Sequence, residues 1–234
     1  RPDDAQSLHA WALLSGSAAW CARWGELDQS VKSGASRRLR TTGRDGFQHL
    51  EDAATAALFH RAMTEVTRCV ALDVLRVIDF SSARRIVDVG GGHGELLATI
   101  LRAHTDARGV LFDLPHAIDG AGAGLAHAGV AARCECVAGS FFDSVPEGGD
   151  TYLLKSVLHN WDDERCIALL RRCRAAMSHA ARLLVVERVM SQRPGTAARD
   201  RAIARSDLNM LVALSGRERS EADFRGLLQA TGFH

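Results

Sequence analysis

Lysine is nearly missing from this chain: the sequence has 29 lysine and arginine residues together, and the lysines are Lys32 and Lys155. That bias reflects arginine- and alanine-rich coding rather than function, yet it makes Lys155 worth attention. Tyrosine occurs once and proline four times. With 28 acidic residues against 29 basic ones, no surplus of charge points to a nucleic-acid partner. No apolar run approaches the ~18 residues that a membrane span requires. The cysteines (Cys21, Cys69, Cys134, Cys136, Cys166 and Cys173) include no Cys-x-x-Cys pair, so the usual zinc spacings are excluded and no metal is expected. Free, mostly buried thiols in a reducing compartment are expected instead. No leader pattern opens the residues given, and a cytoplasmic location is the expectation.

What is present begins with length. A chain of 234 residues can bury one sizeable core. Residues 86–94 read Ile-Val-Asp-Val-Gly-Gly-Gly-His-Gly, a β-branched run that ends in glycines and leads into helical periodicity. Strand, glycine turn and helix together let backbone approach a nucleotide-like ligand. Gly90, Gly92 and Gly94 alternate instead of following G-x-G-x-x-G. That spacing suits an adenosine carrying an amino-acid tail better than one carrying a pyrophosphate, which favours S-adenosylmethionine over NAD.

Spaced Leu, Trp and Ala predict an amphipathic helix over 5–24. Polar, glycine-punctuated residues 30–46 read as a loop. From Glu51 to Val77, Ala54, Leu58, Met63, Val66, Val70, Val74 and Val77 recur at helical spacing. Strands are predicted at 84–89, 109–113, 133–138, 150–155 and 181–187, and helices at 94–104, 116–127, 162–178, 198–214 and 220–231. Apolar strands separated by helices imply parallel strands covered on both faces. The expected fold is α/β: a Rossmann-like parallel sheet with helices on both faces (81–234), preceded by a helical segment (1–80).

In such a sheet the ligand lies beyond the carboxyl ends of the strands. There the sequence offers Gly90 and Gly92, then Asp113, whose carboxylate suits ribose hydroxyls or a helix cap. Ser140 and Phe141 are placed to meet an adenine, while Phe142 reads as core. Lys155 can reach a ligand carboxylate or adenine. His159, just past the fourth strand, is the candidate acid–base group, and Glu187 ends the fifth strand either solvated or aimed at the site. A histidine with an orienting carboxylate is a general-base pair.

These segments resemble the cofactor-binding domain of the plant caffeate-type O-methyltransferases and their bacterial relatives in aromatic polyketide and phenazine pathways. The resemblance rests on DVGGGHG (88–94), LFDLP (111–115), GSFFDSVP (139–146), YLLKSVLHNWDDERC (152–166), LLVVE (183–187) and GRERSEADF (216–224), all in order. FHRAM (59–63) is similar to the family's F-N-x-x-M segment. The resemblance implies S-adenosyl-L-methionine as cofactor, held by Gly90, Gly92, Asp113, Leu114, Ser140, Phe141 and Lys155. It implies His159 as general base flanked by Glu187 and Glu218, and Phe59, His60, Met63, Asn160 and Met210 facing the acceptor. Ser140 stands where Asp is common, Asn160 where Asp often follows the histidine, and His60 where Asn is usual.

The implied reaction is methyl transfer to a hydroxyl of a small aromatic metabolite, without nucleic acid or membrane. Rival readings are a methyltransferase-fold enzyme performing hydroxylation or decarboxylation, an NAD-binding oxidoreductase, and a non-catalytic binding protein. Family members carry an N-terminal module that interlocks two subunits and a final antiparallel strand pair beyond the equivalent of Gly232-Phe233. A longer, homodimeric native protein is therefore expected, with 1–80 containing the link to that module and 81–234 incomplete at its C-terminus.

Overall fold

From residue 85 onward short apolar runs alternate with helical periodicity, and the backbone follows them. The computed structural model describes residues 7–44, 47, 50, 52–193 and 195–233. Packing divides the chain into two compact units. The first comprises Arg1–Gly16, Leu50–Lys155 and Ala175–Val185; the second comprises Ser17–His49, Ser156–Arg174 and Val186–His234.

The first unit contains helix α1 (His9–Ser15), the long helix α5 (Ala53–Val77), and a sheet with its helices: β1 (Arg85–Val89), α6 (Glu95–Ala103), β2 (Arg108–Asp113), α7 (Pro115–His127), β3 (Cys134–Ala138), β4 (Thr151–Lys155) and β5 (Arg182–Val186, up to Val185). The strand order is β3-β2-β1-β4-β5, and β1 pairs in parallel with both β2 and β4. Chain order reverses at β1, so the crevice at its carboxyl end is the switch point where ligands of such sheets bind. Ile86, Val87 and Val89 of β1 and Leu97, Ile100 and Leu101 of α6 are wholly buried. Each such side chain contributes about 1.5–3 kcal/mol on leaving water. Glu65 ties α1 to α5 by accepting the Ala10 and Trp11 amides, each at 3.0 Å.

In the second unit lie α2 (Ala18–Trp24), α3 (Leu27–Ser33), α4 (Arg37–Thr42), a 3-10 turn (Leu158–Asn160), α8 (Asp163–Ala176, up to Arg174), β6 (Val189–Met190), α9 (Ala198–Leu214), β7 (Arg219–Ser220) and α10 (Glu221–Gln229). Helices α2, α3 and α4 pack on α9. The short strands β6 and β7 pair in parallel. Ser220 and Asp223 form a reciprocal capping box that starts α10.

The α/β reading holds: five parallel strands stand between helices as expected. Several local expectations do not. The helix expected over 5–24 breaks at Gly16-Ser17, where the Ser17 side chain accepts the Trp20 amide and caps a new helix; Ala5 and Gln6 lie outside the described residues. The loop expected over 30–46 contains most of α3 and all of α4, because Gly34 and Gly43 are left-handed helix caps rather than loop residues. Its last two residues, Asp45 and Gly46, are outside the described set, as is Glu51.

On α5 the buried stripe is Ala56, His60, Ala62, Thr67, Ala71 and Val74, while Val70 and Val77 are exposed. Helices α1 and α6 pack on α5, and of the apolar residues whose spacing predicts the helix Val74 is the buried one. Strand β3 is an edge strand with exposed positions, not one covered on both faces. All six cysteines are free, but only Cys166 and Cys173 are buried; Cys21, Cys69 and Cys136 are exposed.

Candidate active site

At the carboxyl end of β1 the chain turns through Gly90, Gly92 and Gly94, with φ of 72°, 59° and 78°. Side chains rarely adopt such angles, and nothing lies within 4 Å of where a Gly92 Cβ would stand. The turn is pinned from β2: Asp113 Oδ2 accepts the Gly92 amide and Oδ1 the Leu114 amide, both at 2.7 Å. Beneath the turn Asp88 is buried and its Oδ2 has no hydrogen-bond partner among the described residues. Burial, with Asp113 nearby and Lys155 opposing, lifts the Asp88 carboxyl to about 7. Asp113 is also raised by burial, against the two amides and His116. Lys155, at the end of β4, donates to Thr67 Oγ1 at 2.8 Å.

Three histidines meet in the same unit. His60 Nε2 lies 3.0 Å from His116 Nδ1, and its ring stacks on His93 at 4.6 Å. Burial, reinforced by His93 and His116, lowers His60 from 6.5 to about 3, so it is neutral near pH 7.

The second unit holds His159, the candidate acid–base group. His159 sits on the 3-10 turn, which is fastened on several sides. Glu187 Oε1 accepts the amides of Val157 (2.9 Å), Leu158 (2.8 Å) and His159 (3.3 Å). Arg219, 1% exposed, donates to the carbonyls of Leu158 (2.9 Å) and Trp161 (2.7 Å) and to Asp163. Gly216 packs so closely that an added Cβ would overlap the His159 and Asn160 backbone. The Arg217 amide donates to the His159 carbonyl at 3.0 Å.

His159 Nδ1 lies 3.2 Å from Glu218 Oε1 and 3.6 Å from Glu187 Oε2. Burial opposes ionisation of Glu218, but the hydrogen bond and charge of His159, with Ser206 and Arg188, outweigh it and hold the carboxyl below its usual range. Glu187 is raised, by burial first and by Glu218, with His159 and the amides opposing. An ionised carboxylate only accepts, so Nδ1 carries the proton. Nε2 takes no partner among the described residues.

The family model of the O-methyltransferase domain matches residues 24–234. The chain belongs to this family. Among curated relatives of this O-methyltransferase-family chain is the O-demethylpuromycin-O-methyltransferase of Streptomyces alboniger, 42% identical over 236 residues, covering all of this chain and 62% of that protein. The chain thus spans about three fifths of that relative's length. The crystal structure of LaPhzM superposes with a TM-score of 0.92 at 36% identity, covering 99% of this chain and 69% of the other. That of NcsB1 from neocarzinostatin biosynthesis, in complex with S-adenosylmethionine and 2-hydroxy-5-methyl naphthoic acid, gives 0.86 at 31% identity over 99% and 69%.

Within this O-methyltransferase-family chain the first unit brings together Gly90, Gly92, Asp113 and Leu114. Ser140 instead accepts the Phe142 amide at 3.2 Å, and Phe141 meets Phe142 edge to face. Phe142, expected in the core, is half-buried, as are Phe59 and Met63. In the second unit Asn160 is buried and donates its side-chain amide to the Ser156 carbonyl at 3.1 Å, which occupies one of its donors. Met210 is buried too. Glu187 is not solvated; its side chain is 2% exposed and faces His159. Thr67, His93, His116, Arg188, Ser206 and Arg219 escaped the sequence reading. His93 stands inside DVGGGHG, His116 directly follows LFDLP, and Arg219 stands inside GRERS, but Thr67, Arg188 and Ser206 carry no local signal.

The first unit fits the cofactor of a class I methyltransferase. A positive-φ glycine turn with open space at Gly92, a carboxylate already bound to that turn, and a buried carboxyl oxygen with no partner form a polar cradle rather than a packed core.

Proposed function

We propose that this protein transfers a methyl group from S-adenosylmethionine to a hydroxyl of a small aromatic metabolite, with His159 as general base. The observation that carries the reading is His159 itself: Nδ1 is hydrogen-bonded to the buried Glu218 at 3.2 Å, with the buried Glu187 3.6 Å away, so Nε2 is left as proton acceptor. The names of the relatives support the acceptor class, since they act on aromatic natural products or were crystallised with a naphthoic acid.

When bound, S-adenosylmethionine supplies a methyl carbon activated by its sulfonium. Gly90, Gly92, Asp113, Leu114, Ser140, Phe141 and Lys155 would hold it. Asp113 keeps free lone pairs on both oxygens for ribose hydroxyls while it orders the turn. A phenol has a pKa of about 10, so little of it is ionised at neutral pH. His159 Nε2 takes the phenolic proton as the oxygen becomes nucleophilic, and the ionised Glu218 stabilises the imidazolium so formed. Such base catalysis contributes about 10²–10⁴-fold, with positioning of the acceptor supplying more. Phe59, His60, Met63, Asn160 and Met210 would face the acceptor.

No helix among the described residues is long and apolar enough to cross a membrane. The free thiols support a reducing cytoplasm, and we take the full-length enzyme to be a homodimer of bacterial secondary metabolism. The test is incubation with methyl-labelled cofactor and a panel of phenols, phenazines and hydroxynaphthoates. Label in an O-methyl product supports the reading. Label on nitrogen or carbon, a hydroxylated or decarboxylated product without label, or no product from the full-length protein overturns it.

A further inference from the structure

His159 and its two acids do not end the hydrogen-bonded chain. Arg188 follows Glu187 directly, and Ser206 is on α9. Arg188 Nη1 donates to Ser206 Oγ at 2.7 Å, and Ser206 Oγ donates to Glu218 Oε1 at 2.6 Å. The oxygen that receives Ser206 is the one that faces His159 Nδ1 at 3.2 Å. Arg188 itself is 3.9 Å from that oxygen and half-exposed, whereas the Glu218 side chain has no exposure at all. The Glu218 amide donates to Asp207 Oδ1 at 2.9 Å, which holds its backbone against the same helix.

We propose that Ser206, polarised by Arg188, is a positioning residue that fixes Glu218 Oε1 on His159 and sets how strongly that carboxylate orients and charges the base. The proposal rests on His159 acting as the base. Its logic is directional. A guanidinium N–H can only donate, so the Ser206 oxygen accepts from it and turns its own hydrogen toward Glu218. A carboxylate can only accept, so the Ser206 and His159 donors share one oxygen. Among the described residues Glu218 Oε2 has no hydrogen-bond partner, so the bonds to Oε1 fix the carboxylate plane. Removing Ser206 leaves a fully buried carboxylate with one side-chain donor instead of two, free to rotate and to take up a proton more readily. The titratable and charged groups that surround this chain are Glu187 and Glu218 facing His159, Arg188 and Asp207 facing Glu218, and Cys166 and Arg219 beneath the turn at the Leu158 carbonyl. None of these replaces the Ser206 donor.

The experiment measures pH profiles of kcat and KM for the full-length wild type, Ser206→Ala, Ser206→Thr, Arg188→Gln and His159→Ala, with thermal unfolding alongside. For Ser206→Ala, kcat should fall roughly tenfold, the scale of one hydrogen bond to a charged group. KM for cofactor should stay unchanged, and the acid limb of kcat should move to higher pH. Ser206→Thr, which keeps a hydroxyl, should restore both, and Arg188→Gln should shift the limb in the same direction but less. A Ser206→Ala profile that superimposes on the wild type, or a loss confined to KM or melting temperature, overturns the proposal while leaving His159 as base. If His159→Ala turns over like the wild type, the base assignment fails and the positioning role falls with it.

Discussion

Glu187 holds His159 twice over, with Oε1 on its backbone amide at 3.3 Å and Oε2 3.6 Å from its imidazole Nδ1. One carboxylate thus shapes the turn that carries the proposed base and also faces its ring. Loss of the two roles should separate by substitution. Glu187→Gln keeps an oxygen for the amides and should retain stability, while its NH₂ opposes the protonated Nδ1 and lowers kcat. Glu187→Ala strips three buried amides of their acceptor and should cost about 1–3 kcal/mol or more in urea unfolding. Equal stability of the two variants would contradict the dual role.

Asp113 should govern cofactor affinity before turnover. It binds the Gly92 and Leu114 amides, so its loss frees the glycine turn as well as removing the proposed ribose partner. For Asp113→Ala, calorimetry with S-adenosylhomocysteine should show affinity down at least roughly tenfold, the scale of a hydrogen bond to charge. Unchanged affinity would remove Asp113 from the cradle.

His60 makes stability fall in acid. Its folded pKa is depressed from 6.5 to about 3, so below 6.5 the unfolded chain takes a proton that the folded chain refuses. Stability from this group is full above 6.5 and is lost progressively down to about 3. His60→Asn should flatten that dependence, saving roughly 1–2 kcal/mol between pH 6.5 and 5. Urea unfolding at several pH values checks this; parallel curves for variant and wild type would refute it.

The order of elements, the strand ends and the residues just past them were legible because parallel buried strands and a glycine turn leave local patterns. His159, Glu187 and Glu218, distant in sequence, could be joined through motif resemblance, and the structure brings all three within hydrogen-bond or ion-pair reach. The apolar spacing announced α5 but not its inner face, which carries Ala56, Thr67 and Ala71 while Val70 and Val77 are exposed. Gly34 and Gly43 signalled helix ends rather than a loop, since one left-handed residue serves either purpose. Ser206, Arg188 and Thr67 were invisible for a different reason. Their partners lie 12, 18 and 88 residues away, and no periodicity encodes such bonds.

The most direct test compares His159→Ala with the wild type in the full-length protein, measuring kcat for methyl transfer and the Kd of S-adenosylhomocysteine. If His159 is the base, kcat falls by about 10²–10⁴ while Kd stays within a few-fold. Turnover near the wild-type level, or a collapse of cofactor affinity that matches the loss of turnover, would contradict the account.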